Sequence, residues 1–257
     1  MWSVHLGLLP LFIKMAAPTP ERGGSGSRAK YGNFNNYYQF NKPEERLKML
    51  PKDLVAYCNL SDQSQVVALD IGCNSGELTT HLYRNLASSG MTDVKMLAID
   101  IDNSLIECAK KNCSYPEAIE YMCLDIASNA SIESLTAYLD KLGREAFDVT
   151  FCFSVTMWIH LNHGDNGLKQ FLETVSRNTH FLLVEAQLWK CYRSASRRMR
   201  RSNETDFQNL DTLSMNVNVE DNIHDFLQGR CGLQVVECFG ETQWGRKVTL
   251  YKRKAAV

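Results

Sequence analysis

Net charge is the first thing this chain lacks: 28 basic and 29 acidic side chains in 257 residues leave only −1 at neutral pH. No overall field advertises a nucleic-acid partner, so any grip on a polyanion has to be a local patch. Paired cysteine spacing is missing too. The nine cysteines are odd in number and scattered, without the spacing of a zinc site. That favours a reducing compartment, with thiols such as Cys73, Cys123, Cys152 and Cys238 serving as small apolar fillers of predicted core strands. A membrane span is not offered: the apolar stretch 1–14 (MWSVHLGLLPLFIK) is too short, is interrupted by Pro10 and has no basic leading segment. Repeats, heptads and any sign of a second domain are also absent. What remains, 44% hydrophobic and 22% charged, suits one soluble α/β domain with a full core.

The ends read differently from the middle. Met15 opens MAAPTPERGGSGSRAK, an initiation context followed by a polar leader, so residues 1–14 read as an upstream-start artefact. A mitochondrial presequence is the rival reading; the lack of acids before Glu21 permits it, and the scarcity of Arg and Ser weakens it. The expected organisation is a disordered leader over 1–30, one domain over 31–253 and a tail over 254–257.

Residues 66–79 (VVALDIGCNSGELT) organise the rest. A continuous apolar run ending in Asp70 predicts a buried parallel strand, and Gly72 and Gly76 mark a tight turn into a helix. Asn74 stands where a dinucleotide fingerprint has its central glycine, so its amide suits an amino-acid group or a ribose better than a diphosphate. A plain strand-to-helix turn explains the glycines equally well. Two further acids follow at strand ends, Asp100 after residues 94–101 and Asp125 after 119–126. Asp100 can take both ribose hydroxyls of an adenosine, and Asp125 can accept from an adenine amino group while Ile126 packs the ring. Each alone could be a solvated acid at a helix start, but three in succession favour an adenosine pocket. Helices over 77–86, 104–112 and 132–142 alternate with strands, the fourth over 147–154 and the fifth over 181–184, predicting right-handed crossovers and a doubly wound sheet. Residues 233–239 and 247–252 complete seven strands as a hairpin. Ahead of the first strand, Pro43 opens a helix carried on by Leu47, Leu50 and Leu54 across Pro51.

Two polar stretches remain. Residues 156–167 (TMWIHLNHGDNG) read as a loop, either capping a helix through His160 and His163 or lying over the active site, where His160, Asn162 and His163 hold an RNA end. Metal chemistry fits poorly. Between Lys190 and Arg201 six residues are basic and none acidic, and 190, 193, 197 and 200 fall on one helical face. Arg193, Arg197, Arg200 and Arg201 become candidate RNA contacts, against a solvated face or an import signal.

The acids at successive strand ends are the pattern of class I S-adenosylmethionine (SAM) methyltransferases, Rossmann-like folds with a seven-stranded, mostly parallel sheet and helices on both faces. YGNFNNYY (31–38), DIGCNSGEL (70–78), SVTMWIHLNHGDNGL (154–168) and VEAQLWKCY (184–192) together resemble the bicoid-interacting-three family, closest to its RNA 5′-monophosphate branch. The resemblance covers about residues 31–253. It implies SAM as cofactor, held by Arg46 at the methionine carboxylate, by Asp70, Gly72, Asn74, Gly76, Asp100, Asp125 and Ile126, and by Phe153 flanking the adenine. It implies Tyr37 and Lys190 as catalytic residues, Arg193 being a weaker choice, and as acceptor the 5′-monophosphate of a small structured RNA, a tRNA or precursor microRNA. It further implies a cytoplasmic monomer with a possible nuclear fraction, using neither membrane nor metal. Ala186 and Leu188 replace two prolines usual in the family, which puts the rigidity of that loop in question. Methylation of an RNA base, a protein or a small molecule, and a non-catalytic RNA-binding module, are the alternatives; Asn74 disfavours a NAD oxidoreductase.

Overall fold

The computed structural model describes residues 30–34, 37–88 and 93–254, and the expectations about the leader over 1–29 lie outside that range. Strand β1 (Val66–Ile71) is buried at all six positions, which is why its sequence runs apolar without alternation. Val66 and Ala68 pack to one side with Leu78, Leu82 and Leu86 of α4 (Glu77–Ala87). Val67, Leu69 and Ile71 pack to the other, against α6 (Ala130–Lys141) and α7 (Thr156–Arg177). Around β1 the sheet runs in the order β3-β2-β1-β4-β5-β7-β6. Here β2 is Val94–Asp100, β3 Ile119–Cys123, β4 Phe147–Phe153 and β5 Thr179–Glu185. All of these pair in parallel. Strand β7 (Lys247–Arg253) enters antiparallel between β5 and β6 (Leu233–Glu241). The predicted seven-stranded class I sheet is thus present, with α5 (Asn103–Asn112) crossing from β2 to β3. The chain steps outward from β1 to β3 and then restarts at β4, so a crevice opens at the carboxyl ends of β1 and β4.

Several elements depart from the sequence reading. The helix expected across Pro51 is two short pieces, α2 (Pro43–Leu47) and α3 (Leu54–Tyr57), preceded by a single turn α1 (Tyr37–Phe40). Pro51 cannot donate within a helix, and Asp53 starts α3 afresh by accepting from the Ala56 N–H. Residues 156–167 are not a loop but the front of α7, which is two helical segments meeting at a kink where Gly164 leaves helical geometry (φ 69°, ψ −173°). Residues 202–222 hold a 3-10 turn (Leu210–Thr212) and the start of α9 (Val219–Gly229), anchored by buried Phe207, Leu213 and Met215. All nine cysteines are free, but Cys123 and Cys238 are exposed and so are not core fillers. Lys254, assigned to a tail, still donates its N–H to the Gly232 carbonyl.

Candidate cofactor and acceptor site

The crevice, about 880 Å³ with the open solvent at its mouth included, is lined by the turn after β1, the ends of β2 and β4, and residues 31–33. Its floor is the Asp70–Gly76 turn. Gly72 (φ +75°) has no room for a side chain, since a Cβ would lie 2.6 Å from Val155. Gly76 (φ +82°) caps α4 and would bring a Cβ within 2.7 Å of the Tyr121 hydroxyl. Asn74 is also left-handed (φ 51°). Its N–H donates to Asp100 Oδ2 at 2.9 Å, its Oδ1 accepts from the Ser75 N–H, and its Nδ2 donates to the Phe34 carbonyl. The amide expected to face the ligand therefore ties residues 31–34 over the cleft, leaving one N–H. Thr79 Oγ1 donates to Asp70 Oδ2 at 2.6 Å. Burial pushes the Asp70 carboxyl up to about 6, the Thr79 hydrogen bond partly opposing the rise.

Asp100 accepts from the N–H groups of Asn74 at Oδ2 and Asp102 at Oδ1; burial raises its pKa, with backbone hydrogen bonds from Asp102, Asn74 and Ile101 opposing the rise. Asp125 lies in the turn beyond β3, accepts from the Ala127 N–H through Oδ1, and lines the cleft with Leu124 and Ile126. A ribose beside Asp100 and an adenine beside Asp125 fit these acceptors.

The other end of the cleft is charged. Arg46, fully buried, donates through Nε to Glu185 Oε2 and through Nη2 to Tyr37 Oη (2.8 Å) and Ser154 Oγ (2.8 Å). Its Nη1 is buried without a partner among the described residues, which fits a cofactor carboxylate. Arg246, at the base of the β6–β7 turn, donates through Nη1 to Ser154 Oγ (2.6 Å) and Glu185 Oε1 (3.0 Å). Trp244 Nε1 also donates to Glu185 Oε1, at 2.8 Å. Burial alone would raise the Glu185 pKa, but the two guanidiniums beside it hold it below the usual range. Ser154 sits in the left-handed region (φ 60°), a strained conformation that puts its hydroxyl between both arginines. Phe153 lines the same cleft, and its ring lies 5.6 Å from the Arg46 guanidinium carbon.

Tyr37 is thus joined to the charged group directly. Lys190 reaches it through the hairpin: exposed in the first turn of α8 (Trp189–Arg201), its Nζ lies 3.5 Å from where a Cβ on Gly245 would stand. The loop between them is pinned without the two prolines. Gln187, 1% exposed, accepts from Thr156 Oγ1 and the Met157 N–H and donates to the Ser154 carbonyl at 2.6 Å.

Two predicted RNA contacts are structural instead. His160 is fully buried between Tyr192 Oη (3.0 Å) and Asp165 Oδ1 (2.7 Å), its pKa lowered by burial against the pull of Asp165. Asn162 donates to the carbonyls of Lys30 and Trp158. His163 is exposed on the cleft rim. On α8, Arg193, Arg197 and Arg201 are exposed, whereas Arg200 pairs with Asp206 at 3.3 Å and Arg198 lies over the Phe34 ring at 4.6 Å. Sequence reasoning missed Glu185, Ser154, Trp244 and Arg246. Glu185 carried a signal, an acid closing an apolar strand as Asp70 does; the others carried none. Among the described residues no His/Cys/Asp/Glu group could hold a metal ion, and no helix is long and apolar enough to cross a membrane.

Comparison with known proteins points the same way as this geometry. Residues 147–254 match the family described as Bicoid-interacting protein 3 (Bin3), and residues 69–180 match a methyltransferase domain. A Homo sapiens RNA 5′-monophosphate methyltransferase is 36% identical over 95% of this chain and 92% of its own length. A Danio rerio pre-miRNA 5′-monophosphate methyltransferase is 37% identical over 91% of this chain and 96% of its own length. Among solved structures, N-methyltransferase NodS from Bradyrhizobium japonicum, in complex with S-adenosyl-L-homocysteine, superposes with a TM-score of 0.52 at 14% identity, covering 87% of this chain and 94% of that one. The bifunctional kinase-methyltransferase WbdD gives 0.52 at 16% identity over 91% of this chain, which spans only 43% of WbdD. These last two share the fold alone. Identity sustained over nearly the whole chain, on a class I sheet whose cleft suits SAM, makes this protein a SAM-dependent methyltransferase of the Bicoid-interacting protein 3 family.

Proposed function

We propose that the protein methylates the 5′-terminal monophosphate of a small RNA of tRNA or precursor-microRNA type. The observation that carries this reading is the buried Arg46–Glu185–Arg246 group beside the cofactor cleft, flanked by Tyr37 and Lys190. Two guanidiniums around one carboxylate leave a net positive charge where methyl transfer would occur, which suits an anionic acceptor. A terminal phosphate has a second pKa near 6 and is mostly dianionic at neutral pH, so the nucleophile needs no general base. SAM supplies an electrophilic methyl on a sulfonium; a phosphate oxygen forms the new O–C bond as the C–S bond breaks, leaving S-adenosylhomocysteine. The chain's work is to hold that oxygen in line. Tyr37 is suited to it, because its oxygen already accepts from Arg46 and its own O–H is left to donate to an incoming acceptor. The Lys190 ammonium adds charge at the mouth, and the exposed Arg193, Arg197 and Arg201 continue as a track for the RNA body. The same reading makes the protein a cytoplasmic monomer with a nuclear fraction, its free thiols fitting a reducing compartment.

Transfer of labelled methyl from SAM to one hairpin RNA ending in a 5′-monophosphate, a 5′-triphosphate or a 5′-hydroxyl tests the acceptor. Label confined to the monophosphate is expected; equal label on all three, or none, would sink the phosphate reading. Tyr37→Phe and Lys190→Ala are expected to slow turnover without abolishing SAM binding.

A further inference from the structure

Glu185 divides the charged group into two unlike halves. Both guanidiniums are anchored on it, yet each keeps part of its donor set back. Arg46 withholds Nη1, which is buried without a partner among the described residues, and Arg46 lines the cofactor cleft. Arg246 spends Nη1 on Glu185 and Ser154, while its Nε is buried with no partner among the described residues and its Nη2 meets only a weak acceptor, the Cys191 thiol, at 3.6 Å. Nε and Nη2 form the edge of a guanidinium that takes an oxyanion through two parallel hydrogen bonds. A buried N–H left unmet is uncommon and calls for an explanation, and this one lies on the edge where a phosphate fits. Arg246 stands across Glu185 from Arg46, one guanidinium on each carboxylate oxygen. Beside it, the Lys190 ammonium rests against Gly245, the residue immediately before Arg246.

We propose that Arg246 is an acceptor-binding residue, its Nε–Nη2 edge clamping the 5′-phosphate of the RNA together with Lys190, while Glu185 and Ser154 fix its other edge. Glu185 thereby holds one arginine for the cofactor and one for the acceptor. Cys191 lies over the clamp, its thiol giving way to a phosphate oxygen. The proposal rests on the phosphate-acceptor reading above and adds to it the residue that recognises the anion.

Arg246→Lys keeps the charge and the contact with Glu185 within reach but loses the fork. In the full-length protein with a hairpin RNA and SAM, kcat/KM for the 5′-monophosphate RNA is expected to fall by about 10-fold to 100-fold, the loss of a hydrogen-bonded charge contact. The affinity preference for 5′-phosphate over 5′-hydroxyl RNA, measured with S-adenosylhomocysteine bound, is expected to collapse, with SAM affinity nearly unchanged. An undiminished preference in the variant overturns the proposal, as does a loss of SAM affinity equal to the loss in RNA affinity, which would make Arg246 a prop for Glu185 alone. Wild-type protein that itself ignores the 5′-phosphate overturns the acceptor reading as well, so the two failures are told apart. A second measurement needs no variant: alkylation at Cys191, mapped by mass spectrometry, is expected to slow with 5′-phosphorylated hairpin and not with the 5′-hydroxyl form. Equal rates with the two RNAs would overturn the clamp.

Discussion

Asp70 is 2% exposed and takes one side-chain hydrogen bond, from Thr79, and burial lifts its carboxyl from 3.8 to about 6. Between those values the unfolded chain has released this proton while the folded one keeps it, so stability falls as pH rises through the window and levels off above it. The penalty for the ionised group at neutral pH is about 3 kcal/mol. Asp70→Asn is therefore expected to raise the melting temperature of the ligand-free protein at neutral pH, to flatten its change between about pH 4 and 6, and to weaken the stabilisation given by SAM. Calorimetry across that range decides it; a lower melting temperature throughout would show that the ionised carboxylate supports the fold. At this scale the sequence revealed the acids that close apolar strands, because a carboxylate at the end of an unbroken apolar run stands out in the order of residues. It did not reveal His160 and Asn162 as internal struts. A polar side chain looks the same in sequence whether it meets a ligand or, as His160 does, an aspartate brought back by a kink five residues later.

That kink is an element-scale device. Gly164 holds φ 69° and ψ −173° inside α7, a conformation favourable only to glycine, and its Cβ would meet Asn209 no closer than 3.7 Å. The bend lets Asp165 turn back to His160 and also accept from Ser214 Oγ and the N–H groups of Ser214 and Met215. Gly164→Ala is expected to cost about 1–3 kcal/mol through backbone strain rather than crowding, read from urea unfolding. A change indistinguishable from zero would mean the helix straightens freely. The composition around the bend, with two glycines, two asparagines and an aspartate, is that of a loop, so the helix was illegible until its packing was known. Helix α8 was easier, since its basic residues recur at helical spacing. Contacts now separate them: Arg200, though exposed, is paired with Asp206 and Arg198 lies on Phe34, leaving Arg193, Arg197 and Arg201 open. The Arg193→Gln, Arg197→Gln double variant is expected to reduce the slope of log affinity against log salt by about 2 for any RNA bound there. An unchanged slope would take the RNA off this face.

At the scale of the whole molecule the sheet order does the positioning. Strands β1, β2 and β3 line up their terminal acids along one rim of the cleft, while β4 and β5 bring Ser154 and Glu185 to the other. This much followed from the alternation of strands and helices. The charged rim did not, because Arg46, Glu185 and Arg246 meet across separations of 139 and 61 residues that no local pattern records. A ligand bound only by the native state stabilises it by about 2.7 kcal/mol at a hundred times its Kd. SAM is therefore expected to raise the melting temperature by several degrees and NAD to leave it alone. Equal shifts from both would contradict a cleft built for a sulfonium nucleoside.

The placement of β7 also bears on how the protein is made. Since β7 lies between β5 and β6, and Trp244 and Arg246 stand at the turn just before it, the newborn chain on the ribosome can close its cofactor cleft before its charged rim is complete. A message cut short ahead of the last hairpin yields a chain with the long edge of β5 bare, the kind of surface that aggregates. Competence for the proposed chemistry thus waits on synthesis of the β6–β7 hairpin.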